Sequence, residues 1–458
     1  MPKAEPASKS PAGVAPRATA CRLVHSLLTG NGAVQAELDS ALGRRTLSEP
    51  DKALCTELVY GSLRWYLRLS WYADRLLRAP ENLPPDMRTL LVVALYELFF
   101  TRVPAYATVN TYVSLARKRY GPVLARVANG VLRSGKAGIF FDDAQYESII
   151  EPMARLACQY ALPPWIASLW AQEYGPEAAR PLLEASLEAP PVGLRLAPHQ
   201  EGLFAALAPL AIDQTALSPP CREEGRTLAF AGALPAQAVE ALAGGKATRQ
   251  AAASQDVLMA LRPGLWPGPV WDACAGRGGK TLALLEMGVP VTLASDIATG
   301  RLKGLATALV PFGGRAPTVA KLAADTVTIN DIQEYCKGTG PAGDQSGFGT
   351  ILVDAPCSGL GTLARRPEIR LRRTPEDVAT LAGLQGRILR NLAGLLRQGG
   401  LLVYITCTVH PAENQEQVQS FLVSQPHFVL EQSFQTPFAS PLREFFFAAV
   451  FRKTAQEI

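Results

Sequence analysis

Two short stretches of the chain each carry a thiol into a position suited to chemistry. Ile351 to Gly361 reads ILVDAPCSGLG: an apolar run with β-branched members stops at Asp354 and gives way to Pro356, Cys357 and two glycines. Leu401 to Thr408 reads LLVYITCT and brings Cys407 to a similar end. An apolar run that stops abruptly at a turn is the pattern of a buried parallel strand. Ligands of open α/β sheets bind outside the carboxyl ends of such strands. A carboxylate and two thiols are therefore expected at one sheet edge. Cysteine is often simply a buried packing residue, and the other six of the eight are read that way. Two thiols in one cleft can form a redox pair, a metal site or a nucleophile with a helper. Apart from His410 no histidine lies near them in sequence, so the nucleophile with a helper ranks first.

A second constellation lies upstream. Trp271 to Thr281 reads WDACAGRGGKT, a glycine-rich turn between an expected strand and an expected helix. Such a turn lets backbone approach a ligand closely, and the helix amino end offers unpaired N–H groups. One reading is a P-loop, since Gly279, Lys280 and Thr281 fit its end and Asp354 could stand for the metal-holding acid; but Cys274 occupies the place of the first glycine. The other is a nucleoside cofactor site, which needs an acid after the next strand for the ribose hydroxyls. Asp296 in ASDIATGRL stands there, and Asp325 in LAADT follows the third strand, suited to the base. Three successive strand-end acids favour the nucleoside reading.

These motifs must be held by a parallel sheet. Strands are expected at 270–273, 291–294, 316–320, 350–353 and 401–405. Helices at 280–287, 298–310 and 375–396 alternate with them, Phe445–Phe451 closes the sheet as a last strand, and 337–349 forms a glycine-rich surface loop. From Thr19 to about Ser134 helical periodicity dominates: Leu58, Val59, Leu63 and Tyr66 share a face, as do Leu90, Leu91, Ala94, Leu95 and Leu98, and Val123, Val127, Val131 and Leu132. Prolines 80, 84, 104 and 122 punctuate five to seven helices. Lys136–Tyr146 reads as a connector, followed by helices near 164–174 and 176–187 and a strand-like VGLRL. The fold class is thus multidomain. A disordered tail (1–16) precedes an all-α domain (17–142), a small α+β connecting subdomain (143–245) and an α/β domain (246–458).

At 458 residues, 48% hydrophobic, the chain is long enough for several cores. It has no apolar run of membrane-spanning length, and its first residues lack the apolar core of a secretory signal, so a cytoplasmic protein is expected. Four histidines and no CxxC spacing argue against a metal site. A net charge of +5 permits a nucleic-acid partner without demanding one.

DAPCSGLG at 354–361 followed by TCT at 406–408 resembles the paired signature of the RsmB/Nop/Sun family of RNA (cytosine-5)-methyltransferases. The order of 272–281, Asp296, Asp325 and 406–414, and QAAASQ at 250–255, are similar too. DKALCTELVYGSLRW (51–65), residues 90–118 and ANGVLR (128–133) resemble a NusB-type RNA-binding domain, as in the bacterial members that act on small-subunit rRNA. The resemblance implies a Rossmann-like sheet holding S-adenosyl-L-methionine through Cys274, Ala275, Gly276, Arg277, Gly278, Gly279, Lys280, Asp296, Asp325 and Asp354. It implies that Cys407 is the nucleophile and that Cys357 assists release, with Asp354 on the N3/N4 edge of the cytosine. The implied partner is 16S rRNA, met before or during subunit assembly by a monomeric enzyme without membrane or metal. A tRNA cytosine-5 methyltransferase and a non-catalytic RNA-binding factor are the alternatives. Arg365, Arg366, Arg370, Arg372 and Arg373 follow the central motif and are expected to contact RNA phosphates. The chain departs from the family in four places: Arg277 replaces a proline, Arg366 a histidine and Leu371 a tryptophan, and VGLRLAP lacks an asparagine.

Overall fold

A computed structural model describes residues 14–30, 32–43, 47–335 and 347–455. The chain divides into two compact units, one running to Glu188 and including Arg366–Arg372, the other made of the remainder.

The first unit is helical: α1 (Val14–Thr29), α2 (Val34–Gly43), α3 (Glu49–Leu76), α4 (Pro85–Phe100), α5 (Ala105–Ser134), α6 (Ala137–Phe141), α7 (Pro152–Gln159) and α8 (Pro164–Leu187). Punctuation follows the expected chemistry. Ser48 caps α3 by accepting from Asp51 N–H, and Pro84 and Pro104 stand just ahead of α4 and α5. Non-helical glycines, Gly121 and Gly175, kink α5 and α8 next to a proline. The periodic residues of α3 and α4 form the core. Val123, however, is exposed, because the kink at Gly121–Pro122 turns the start of the second segment of α5 away from its expected face. The tail expected over 1–16 lies mostly outside the described residues, and Val14–Pro16 belong to α1.

Arg17 and Arg68 are two of the buried cations that fix this unit. Arg17 Nε donates to both carboxylate oxygens of Glu97 at 3.0 and 2.9 Å, and Thr108 and Tyr112 donate to the same carboxylate. Arg68 donates to the Phe140 and Gln159 carbonyls and to the Tyr146 hydroxyl, so the expected connector is packed as α6 and a 3-10 turn rather than running free.

The second unit begins with a three-stranded antiparallel sheet, β1 (Val192–Leu196), β2 (Thr227–Phe230) and β3 (Ala247–Arg249), in the order 2-1-3. Helices α9 (Glu201–Leu207), α10 (Pro219–Glu224) and α11 (Ala236–Ala243) lie between these strands in the chain, and α12 (Ala252–Ala260) follows them. The module expected over 143–245 is thus shared between the units, with α7 and α8 in the first.

The α/β part follows. Its elements are β4 (Val270–Asp272), α13 (Gly279–Glu286), β5 (Val291–Ser295), α14 (Thr299–Leu309), β6 (Thr318–Ala320), α15 (Ile329–Tyr335), β7 (Phe348–Asp354), α16 (Pro375–Ala393), β8 (Leu396–Thr406), α17 (Gln415–Ser424), β9 (Phe428–Gln435) and β10 (Phe447–Lys453). Its sheet has the order 6-5-4-7-8-10-9, parallel from β6 to β8, with β10 antiparallel to β8 and β9. Alternation along the strands fills two cores: Leu401, Val403 and Ile405 join α12 to α14 on one face, while Leu402 and Tyr404 join α16 and α17 on the other. The expected last strand, β10, lies between β8 and β9 rather than at the edge. The loop expected over 337–349 lies mainly outside the described residues, and its end is already strand β7.

Glu97 is fully buried, so removing its carboxylate takes away the acceptor that Arg17, Thr108 and Tyr112 share. Glu97→Ala should destabilise the helical unit by about 3–5 kcal/mol, read as an earlier unfolding transition in urea; an unchanged midpoint would show the ion pair to be incidental.

Candidate active site

Chain order reverses direction between β4 and β7: β5 and β6 are laid down on one side of β4, β7 and β8 on the other. Such a switch point opens a crevice at the strands' carboxyl ends. The β7–β8 register sets Asp354 opposite Ile405, so the two strands end together. The turns beyond them bring Cys357 and Cys407, fifty residues apart in sequence, to an Sγ–Sγ distance of 3.2 Å. Cys407 N–H also donates to Cys357 Sγ at 3.3 Å. Gly361 makes the close approach possible. Its N–H donates to the Cys407 carbonyl at 3.0 Å, and its carbonyl accepts from Phe445 N–H at 2.8 Å. A Cβ at this position would lie 2.1 Å from the Phe445 oxygen, so only glycine fits. The neighbouring Cys407 thiol, then burial, hold Cys357 well above the ordinary thiol range.

Asp354 and Lys280 meet at the same edge, Nζ to Oδ2 at 2.7 Å. Lys280 lies in the first turn of α13, and its ammonium is also 5.6 Å from the Phe446 ring centroid. This placement speaks against the P-loop, since the lysine reaches back to the carboxylate of β7.

The glycine-rich turn between β4 and α13 is anchored at both ends. Thr281 Oγ1 donates to buried Asp272 at 2.6 Å. Gly276 N–H donates to Asp296 Oδ2 at 3.0 Å, and Ala298 N–H donates to Oδ1 at 2.7 Å. Gly276 and Gly278 have φ of +58° and +86°, and a Cβ on Gly278 would sit 2.3 Å from Leu305 Cδ1. The turn therefore forms with Arg277 in the proline's place, its side chain exposed. Burial, then the Asp272 charge, push the Cys274 thiol up. Asp325 is half-buried, 3.7 Å from Arg387. Two residues not singled out from the sequence support the turn from below: Arg195 of β1 donates to the Gly279 carbonyl at 2.9 Å and pairs with Glu286, and Gln250 donates to the same carbonyl at 3.2 Å. Their signals were the arginine in VGLRL, a charged residue on an otherwise apolar strand, and the glutamine that opens QAAASQ.

The family model described as 16S rRNA methyltransferase RsmB/F matches residues 259–443, and that of the NusB family matches residues 15–136. A probable ribosomal RNA small subunit methyltransferase B of Synechocystis is 34% identical over 396 residues, covering 84% of each chain. The chain belongs to the RsmB/F family of 16S rRNA methyltransferases. The ribosomal RNA small subunit methyltransferase B of Pseudomonas putida is 31% identical, over 90% of this chain and 89% of its own. Among solved structures, PH0851 superposes with a TM-score of 0.71 at 20% identity over 96% of this chain and 99% of its own, a likeness of fold. Membership in the RsmB/F family makes the chain an enzyme that transfers a methyl group from S-adenosylmethionine to carbon 5 of a cytosine in ribosomal RNA. The glycine turn fits that cofactor, with two positive-φ glycines that let the backbone turn tightly between β4 and α13 and a strand-end carboxylate at Asp296.

The five arginines after the RsmB/F motif separate. Arg370 is 1% exposed and donates to the carbonyls of Arg64, Ala161 and Ser186, all in the helical unit. Arg372 donates to the Leu27 and Gly32 carbonyls. Both expectations of phosphate contact are corrected: convergent carbonyls, which spacing in sequence cannot reveal, already use these guanidiniums. Arg365 pairs with buried Glu444 at 2.9 Å, Arg366 lies 3.6 Å from Glu368, and Arg373 donates to the Ser358 carbonyl, while each keeps an exposed portion.

Asp272 offers a pH test. Burial raises its pKa from the ordinary 3.8 to about 7, against the pull of the Thr281 hydrogen bond. The folded state keeps a proton that the unfolded chain releases, so stability from this group is full below about pH 4 and lost as pH rises towards 7. Asp272→Asn should gain on the wild type by roughly 1.4 kcal/mol per pH unit across that window and level off above it. Urea titrations of both proteins at four pH values check this; a constant difference would show that Asp272 is ionised throughout. Asp296→Ala should weaken S-adenosylmethionine binding in calorimetry, and unchanged affinity would displace the cofactor from this turn.

Proposed function

We propose that Cys407 activates the cytosine for methylation through a covalent bond to carbon 6, and that Cys357 governs release. The observation that carries the reading is the pair of sulfurs 3.2 Å apart beside the Lys280–Asp354 pair at the crevice. Carbon 5 of cytosine is a poor nucleophile. Addition of the Cys407 thiolate to carbon 6 makes carbon 5 enamine-like, and Asp354, hydrogen-bonded to the Lys280 ammonium, shares the proton of that pair with N3 as negative charge develops there and takes it back on release. Positioned proton transfer of this kind contributes about 10²–10⁴-fold. A free thiol with a pKa of about 8.5 is mostly protonated at neutral pH. Cys357, held as a thiol, donates to the Cys407 sulfur and so favours its thiolate. S-adenosylmethionine, when bound against Gly276–Gly279, Asp296 and Asp325, supplies a methyl group made electrophilic by its sulfonium. After transfer the carbon-5 proton leaves to a water oriented by Cys357, the electron pair re-forms the 5,6 double bond, and the carbon–sulfur bond breaks. Cys407 departs as thiolate, again receiving the Cys357 hydrogen bond.

The target base must leave its stack to reach such an edge. Arg365, Arg366 and Arg373 are proposed phosphate contacts. The helical domain over 17–142 is read as the module that positions rRNA, residues 143–245 as the connecting segment and 246–458 as the methyltransferase domain. The enzyme is read as a cytoplasmic monomer acting before or during small-subunit assembly. No helix among the described residues is long and apolar enough to cross a membrane.

Cys407→Ala should form no adduct and no 5-methylcytosine. Cys357→Ala should add and methylate, then stall, leaving methylated RNA attached through denaturing electrophoresis. Trapping by Cys407→Ala with an inert Cys357→Ala would reverse the two roles.

A further inference from the structure

The residues that place the two sulfurs are themselves placed by two adjacent side chains. Glu413 is fully buried in the 3-10 turn that follows Cys407. Its Oε1 accepts from Ser358 N–H at 2.8 Å and from Gln385 Nε2 at 3.0 Å, and its Oε2 accepts from the Ser358 hydroxyl. Gln385 donates also to the Pro356 carbonyl at 2.9 Å, so the residues on both sides of Cys357 are held by this cluster. Asn414 does the same for the other thiol. Its Oδ1 accepts from Thr406 Oγ1 at 2.7 Å, and its Nδ2 donates to the Thr408 carbonyl at 3.0 Å. The two grips are joined, because Ser358 Oγ and Thr408 Oγ1 lie 2.7 Å apart. Tyr404 closes the base, its hydroxyl 2.7 Å from the Glu413 carbonyl and 3.0 Å from Gln385 Oε1.

We propose that Glu413 is a positioning residue of the catalytic cycle, acting through Ser358 to fix the Cys357 sulfur against that of Cys407 and so to set the release that completes each turnover. The inference rests on the two-thiol reading above. Among the described residues no cation pairs with Glu413, so its charge is held by hydrogen-bond donors alone. A buried carboxylate without a cation is costly, and apolar packing of the same volume serves stability as well or better. What packing cannot do is hold a backbone N–H, a hydroxyl and an amide in fixed directions one residue from a reacting sulfur. Glu413 also lies close enough for its charge to help keep Cys357 protonated.

The test compares wild type, Glu413→Ala and Glu413→Gln in the full chain by two independent readouts. The first is the Cys357–Cys407 disulfide formed with a glutathione redox buffer, in which oxidised glutathione takes the two electrons and leaves as two thiols. Peptide mapping identifies the bond, and its equilibrium gives the effective concentration of one thiol at the other. The second is methylation kinetics with S-adenosylmethionine affinity measured alongside. Glu413→Ala should lower the effective thiol concentration and reduce kcat by about 10²-fold, as a misplacement of about 1 Å does. RNA KM and cofactor affinity should stay near wild type. Glu413→Gln, whose amide oxygen can still accept from Ser358 N–H and Gln385, should recover most of both losses. An unchanged effective concentration in Glu413→Ala, or a Gln variant no better than Ala, overturns the proposal. A lowered effective concentration with unchanged kcat sustains the placement by Glu413 and moves the failure to the two-thiol reading. Ser358→Ala, which removes only the hydroxyl arm, should show a smaller loss in the same two readouts and serves if Glu413→Ala does not fold.

Discussion

Parallel pairing of β7 with β8 is the constraint on which the rest of the site depends. The register that sets Asp354 against Ile405 ends both strands at one level, and each strand then releases a short turn bearing a thiol. A slip of one residue would send the alternate side chains of β8 to the opposite core, exchanging Val403 and Ile405 for Leu402 and Tyr404. Burial on both faces therefore fixes the register strongly, and with it the meeting of Cys357 and Cys407. The chemistry inherits its geometry from hydrophobic packing well below the crevice.

Above that apolar base the site is built from buried polar groups that answer one another. Asp272 holds Thr281 at the start of α13, Asp296 holds the turn at Gly276, and Lys280 leans across to Asp354. Asp272 ties β4 to the helix that follows it, Asp296 ties the turn after β4 to the end of β5, and Lys280 ties α13 to the end of β7. Half-satisfied networks are expensive in a low-dielectric interior, which gives these contacts their directional force. The two glycines at positive φ serve the same end by letting the turn fold tightly and, at Gly278, by packing directly on Leu305.

Much of this was legible in the sequence because strands buried on both faces leave continuous apolar runs. The runs of β4, β5, β7 and β8 are of this kind, and Asp272, Asp296 and Asp354 stand at or just past abrupt stops. β9 and α17 were not expected: FVLEQSFQ neither alternates nor forms a sustained apolar run, with only its first residue buried, and QEQVQSFLVS is short and polar on most of its surface. The arginines were the harder case. A guanidinium on a phosphate and one on three carbonyls look alike in sequence, and only the fold brings Arg64, Ala161 and Ser186 together around Arg370. Glu413 was hidden for the same reason, since its partners lie 28 and 55 residues away. The thiols were legible because each ends an apolar run, but their separation was not.

The central claim is that one sulfur of the pair, that of Cys407, bonds to the pyrimidine. It can be read in the unaltered enzyme with an RNA substrate carrying 5-fluorocytosine, in which fluorine replaces the hydrogen that must leave carbon 5. Addition and methyl transfer proceed, elimination cannot, and the adduct survives digestion by nuclease and protease. Mass spectrometry of the peptides should find the methylated fluoropyrimidine on the peptide containing Thr406-Cys407-Thr408, with Cys357 unmodified. The same mass on the peptide containing Pro356-Cys357-Ser358 would contradict the account.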